Sequence, residues 1–167
     1  MATTNQSTAK NRALKIILLT GLLVGSLDIL TACIDYYIAT GRGPAGVLKF
    51  IASGVFGRKA FTGGIPMIIL GLLFHYLIAF SFTLFFYWLH SRIKYMSTNR
   101  VLTGILYGLF IWLVMNRIVL PLSNTPTIPF KLYKAVKAAT ILIVMIGIPL
   151  SFIMQKYFPY HAKEYAH

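Results

Sequence analysis

Acidic side chains are the scarcest feature of this chain: three Asp and Glu stand against 16 Lys and Arg in 167 residues, a formal charge of +13. Two of the three, Asp28 and Asp35, lie seven apart in one apolar run. No third polar group follows them at a motif spacing, and HExxH, DxxD, GxSxG and a phosphate-cradling glycine loop are all missing, which argues against an enzyme. A single cysteine, Cys33, excludes an internal disulfide and a CxxC pair for zinc or redox chemistry. The histidines at 75, 90, 161 and 167 are isolated or terminal and form no ligand cluster, so neither a metal nor a cofactor is expected. Charge of either sign is also sparse: 11% charged against 57% hydrophobic residues, with a mean hydropathy of +0.74, excludes an ordinary water-soluble domain.

What remains is long apolar runs. Crossing a bilayer takes roughly 20 mainly apolar residues per helix, and residues 13–38, 65–89, 101–120 and 135–157 meet that length. The expectation is an all-α integral membrane protein, a four-transmembrane-helix bundle occupying residues 10–160. A disordered polar tail, "MATTNQSTA", precedes it over residues 1–9, and a short tail follows at 161–167. The basic residues flank the spans instead of forming one stripe on a soluble face. That pattern fits anionic lipid headgroups as partners and speaks against nucleic acid.

Lys10, Arg12 and Lys15 followed by an apolar run resemble a signal peptide, and Leu30-Thr-Ala-Cys33 resembles a lipobox. The run is longer than an h-region, carries Asp28 and precedes three more spans, so an uncleaved first span is the better reading. "ATGRGPAG" at 39–46 ends that span in turn residues, and Pro44 is suited to the start of a new helix. Over residues 44–57, Val47, Leu48, Ile51, Val55 and Phe56 recur at helical spacing beside Lys49. This predicts a short interfacial amphipathic helix, with an ordinary surface helix as the alternative. Pro66 opens span 2 and Pro149 kinks span 4, while "PLSNTPTIP" after span 3 is an irregular loop. Counting Lys and Arg gives eight on the side of the termini and seven opposite, with Arg117 inside span 3. Weight on the first helix favours both termini in the cytoplasm.

On a helix, Gly21, Gly25, Asp28, Ala32 and Asp35 share one face, a small and acidic stripe that must face the bundle interior or water. "GLLVG" at 21–25 and "GILYG" at 104–108 echo one another at the start of each two-span half, and Gly104 and Gly108 are helix-packing candidates. Helical rise places Asp28 and His75 each about 16 Å from the same end of their spans. Gly21 to Asp35 spans about 21 Å, against about 20 Å from Gly104 to Arg117. Asp28 is therefore expected to meet His75, and Asp35 to meet Arg117 beside Asn116. The first pair is a candidate proton or cation path, with helix pairing as the equal alternative. The second is read as a structural pair near the interface.

"GSLDI", "VLKFIASGVFG", "GGIPMIILGLLFHYLIAF", and "GILYGLFIWLVMN" followed by "PLSNTP" together resemble the YagU-like family of small bacterial inner-membrane proteins of unknown function. The resemblance covers residues 20–155. It implies a compact multi-pass protein of the bacterial inner membrane with no established reaction, and makes Ser123, Asn124 and Thr125 candidates for a polar cap over helix ends; turn chemistry is the ordinary reading of that loop. Two functions are carried forward. One is a non-enzymatic membrane protein whose polar interior supports ion or proton movement or membrane stress tolerance. The other is a structural or assembly subunit that packs against another membrane protein or a second copy.

Overall fold

The computed structural model describes residues 2–93, 96, 98–127 and 129–158. Among them the chain is helical throughout its regular structure, with no strand. The order is α1 (Ala2–Thr40), α2 (Ala45–Phe56), α3 (Lys59–Thr62), α4 (Ile65–Arg92) and α5 (Arg100–Val114), then a π-helical turn (Met115–Val119) and α6 (Leu120–Leu122). After these come α7 (Leu132–Leu142), a second π-helical turn (Ile143–Gly147) and α8 (Ile148–Tyr157). Four continuous segments, Asn11–Thr40, Ile65–Arg92, Arg100–Leu122 and Leu132–Tyr157, are long and apolar enough to cross a membrane. They match the expected spans to within a turn at each end and suggest a membrane protein. Large apolar side chains such as Leu18, Leu22, Leu30, Ile34, Leu73, Leu77 and Leu106 point outward, as lipid-facing residues would.

The N-terminus departs from expectation. α1 begins at Ala2, so residues 2–9 continue the first helix where the sequence predicts a disordered tail. Ser, Thr, Asn and Gln cost at most about 0.7 kcal/mol each in a helix, and a helix nucleated by the apolar run can propagate into them. The expected tail at 161–167, with the last two residues of the expected bundle, lies outside the described residues.

α1 packs on α4 and on the fourth span, whereas α5 packs chiefly on the fourth span. The glycines explain the closeness. A Cβ on Gly21 would meet the Phe80 ring at 2.5 Å, and one on Gly25 the Ala79 Cβ at 3.0 Å, both on α4. Gly104 and Gly108 instead face the backbone of the fourth span, with Ile148 Cα at 2.7 Å and Ile143 Cα at 2.5 Å from the positions a Cβ would take. Gly147 answers from the other side, against the Gly104 carbonyl. Each glycine pair thus packs on the span that follows it. A core of Val24, Phe86, Tyr107, Ile111, Ile146, Leu150 and Met154 joins the helices. The Tyr107 hydroxyl donates to the Phe82 carbonyl at 2.6 Å, which satisfies the polar end of a buried ring.

Both interior prolines follow a π-helical turn by two residues: Met115–Val119 precedes Pro121, and Ile143–Gly147 precedes Pro149. Proline lacks the N–H and its ring crowds the carbonyl four residues back, and a locally widened turn accommodates both defects. The expected kink at Pro149 takes this form, and the third span runs through Pro121 to Leu122.

α2 lies along α4, with Ala52 and Ser53 inward and Val55 and Phe56 outward. Gly71 of α4 faces the Leu48 carbonyl so closely that any side chain would overlap it. At 12 residues α2 is apolar but too short to span.

Candidate functional site

Four polar side chains meet between α1 and α4. His75 is buried, and its Nε2 lies 2.8 Å from the Gly25 carbonyl oxygen. A carbonyl only accepts, so Nε2 carries the proton and donates. Gly25 makes this possible because it has no side chain to hold the α4 backbone away. Asp28, one turn further along α1 and half-buried, lies within electrostatic reach of His75. Among the described residues its carboxylate has no hydrogen-bond partner. Ser26 and Tyr76 share a hydrogen bond of 2.7 Å, and the Tyr76 ring stands edge-on to the His75 ring with centroids 5.4 Å apart.

Ser26 and Tyr76 were not singled out in the sequence. The signal was there: each adjoins a residue already implicated, at Gly25-Ser26 and His75-Tyr76. The matched depth of Asp28 and His75, by contrast, follows directly from helical rise and is what the structure displays.

The expected Asp35–Arg117 pair does not form. Asp35 pairs with Lys137, on α7, and Arg117 lies on the Met115–Val119 turn with no acidic partner among the described residues. Helical rise placed Asp35 and Arg117 at equal depth, but depth says nothing of azimuth. The fourth span packs against both α1 and α5, so its own lysine is the one that reaches Asp35. Asn116, beside Arg117, donates through Nδ2 to the Trp112 carbonyl at 2.9 Å. Ala32 is half-buried on the same stripe as Asp28 and Asp35, whereas Gly21 and Gly25 are buried.

The loop after the third span turns back onto α2. Asn124 donates its backbone N–H to Gly54 O at 2.9 Å and its Nδ2 to Val55 O at 3.2 Å, two carbonyls of the last turn of α2 that the helix itself cannot satisfy. Ser123 Oγ and Thr125 Oγ1 lie 2.8 Å apart and hold the turn. Asn124 therefore caps a helix end, and Ser123 and Thr125 supply turn chemistry.

No protein-family model, curated protein or solved structure matches this chain. Its chemistry must be argued from its own residues. At the α1–α4 interface they set a carboxylate within electrostatic reach of an imidazole that has one committed nitrogen. Nearby hydroxyls are already engaged with their own helices, Thr20 with Ile16 O at 2.7 Å and Thr83 with Ala79 O at 2.9 Å. Among the described residues no group of three His, Cys, Asp or Glu is placed to hold a metal ion.

Proposed function

We propose that this is a multi-pass protein of the bacterial inner membrane, of the YagU-like type and with both termini cytoplasmic, in which Asp28 and His75 bind and release a proton and so support proton or ion movement across the membrane. The observation that carries the reading is the half-buried Asp28 carboxylate beside His75, without a hydrogen-bond partner, deep in a span. A charged side chain at the bilayer centre costs several kcal/mol unless paired or wetted, which makes such a group a functional candidate. Asp28 and His75 are the exchanging pair, Gly25 fixes the imidazole tautomer, and Ser26 with Tyr76 brace the adjoining turn.

The test is flux in proteoliposomes loaded with a pH-sensitive dye, driven by an imposed potassium diffusion potential. The native chain acidifies or alkalinises the lumen faster than empty vesicles, and Asp28→Asn and His75→Gln both return the rate to the empty-vesicle level. A native rate no greater than that of empty vesicles would remove the proposal.

One observation favours a second reading, a subunit that packs against a second copy or another membrane protein. Asp28, Ala32 and Asp35 run along α1 as a small-residue stripe that the four spans leave incompletely covered. A stoichiometric complex in mild detergent that Ala32→Leu dissociates, with no flux from the native chain, would select this reading over the first.

A further inference from the structure

A cavity of about 710 Å³ lies between the third and fourth spans, lined also by residues of the connection between them such as Ser123, Thr125 and Phe130. Three cations line it: Arg117 from the Met115–Val119 turn, and Lys131 and Lys134 from the start of α7. All three are exposed and, among the described residues, none has an acidic partner. Lys137, next along α7, is the one committed to Asp35.

Lys131 immediately precedes α7 and Lys134 lies in its first turn, so both belong to one helix start, and Arg117 faces the same cavity from the third span. The first turn of α7 adds the positive end of its helix dipole, with no acidic residue there to neutralise it. The remaining wall is largely apolar, including Phe130.

We infer that this cavity binds a phosphate-bearing anion, held by Arg117, Lys131 and Lys134. A guanidinium matches two phosphate oxygens at once, and the two lysines supply point charges. The phosphate can belong to the headgroup of an anionic lipid, whose acyl chains would follow the apolar wall, or to a free phosphate. The inference is independent of the proton-exchange reading.

The test uses the full chain in an uncharged detergent, with two probes. Native mass spectrometry follows retention of short-chain phosphatidylglycerol, and calorimetry follows titration with inorganic phosphate. Arg117→Gln, Lys131→Gln and Lys134→Gln are compared with Arg42→Gln, which removes one exposed charge from the turn before α2. A charge-assisted hydrogen bond corresponds to roughly a tenfold change in affinity or more, so Arg117→Gln, Lys131→Gln and Lys134→Gln should each weaken binding about tenfold. Arg42→Gln should leave binding unchanged.

Loss confined to the lipid arm supports the site and identifies a headgroup. Loss confined to the phosphate arm supports it and identifies a soluble anion. Binding of neither probe by the native chain, or equal weakening by Arg42→Gln, overturns the inference. Should Arg117→Gln not fold, Lys131→Gln and Lys134→Gln carry the same comparison, with folding checked by melting temperature.

Discussion

Replacing Asp35 by Ala should destabilise the protein by only about 0.2 to 1 kcal/mol, the range of ion pairs that water still reaches. Lys137 and Asp35 have side-chain exposures of 50% and 36%, and such a pair is screened. A double-mutant cycle with Lys137→Ala, followed by unfolding in a denaturing detergent, should return a coupling energy in that range. The same cycle with Arg117→Ala should return none. Equal coupling to both would mean that Asp35 alternates between them. The residue scale is also where the sequence was least sufficient. Depth along a span follows from 1.5 Å per residue, which is why His75 could be matched to Asp28. Azimuth depends on which helices are neighbours, and nothing in the spacing of Asp35 and Arg117 says that a fourth helix packs against the helices of both.

At the scale of elements, glycine decides how closely the spans approach. Gly147→Ala should destabilise by about 1 to 3 kcal/mol, the usual cost of overpacking, because the added methyl would meet the Gly104 carbonyl, a backbone group that cannot rotate away. Gly54→Ala should be near neutral or slightly stabilising, since Gly54 lies within helix α2 and a Cβ there meets only Ser123 Cβ at 3.7 Å and Thr125 Cγ2 at 3.8 Å, ordinary contacts. Detergent unfolding of the two variants side by side checks the contrast; equal losses would mean that the close approach of α5 to the fourth span is not what stabilises it. The capping contact is weaker. Asn124→Ala keeps the backbone bond to Gly54 O and loses only the side-chain bond to Val55 O, so it should cost about 0.5 to 1.5 kcal/mol, visible as faster amide exchange in the last turn of α2. Elements were the most legible level in the sequence. Long apolar runs, Pro44 and Pro66 at helix starts and the glycine pairs were all readable, because each reflects a local rule. The two π-helical turns were not, since a proline announces a distortion without saying which form relieves it.

For the whole molecule, four spans put the connections after α1 and after α6 at one end and that between α4 and α5 at the other. At the second end, Ser151 Oγ donates to Arg100 O at 2.9 Å and His90 Nε2 donates to Phe158 O at 2.9 Å, which ties the last helix to the ends of α4 and α5. With Cys33 changed to Ala, cysteines placed at Gly43 and Thr127 should react with an impermeant thiol reagent from one face of sealed vesicles. A cysteine at Thr98 should react from the other. Labelling of all three from one face would contradict a four-span arrangement. The near balance of positive charge across the two ends explains why the sequence constrains orientation so much less than topology.

The central claim is that Asp28 and His75 form one proton-exchanging unit inside the first two spans. Isotope-edited infrared titration of the protein in lipid reads it most directly, with the Asp28 carboxyl band followed against pH in the native chain and in His75→Gln. The account predicts that the midpoint of the Asp28 band moves when the imidazole is removed, and that the band is absent in Asp28→Asn. A midpoint that stays in place in His75→Gln would contradict it.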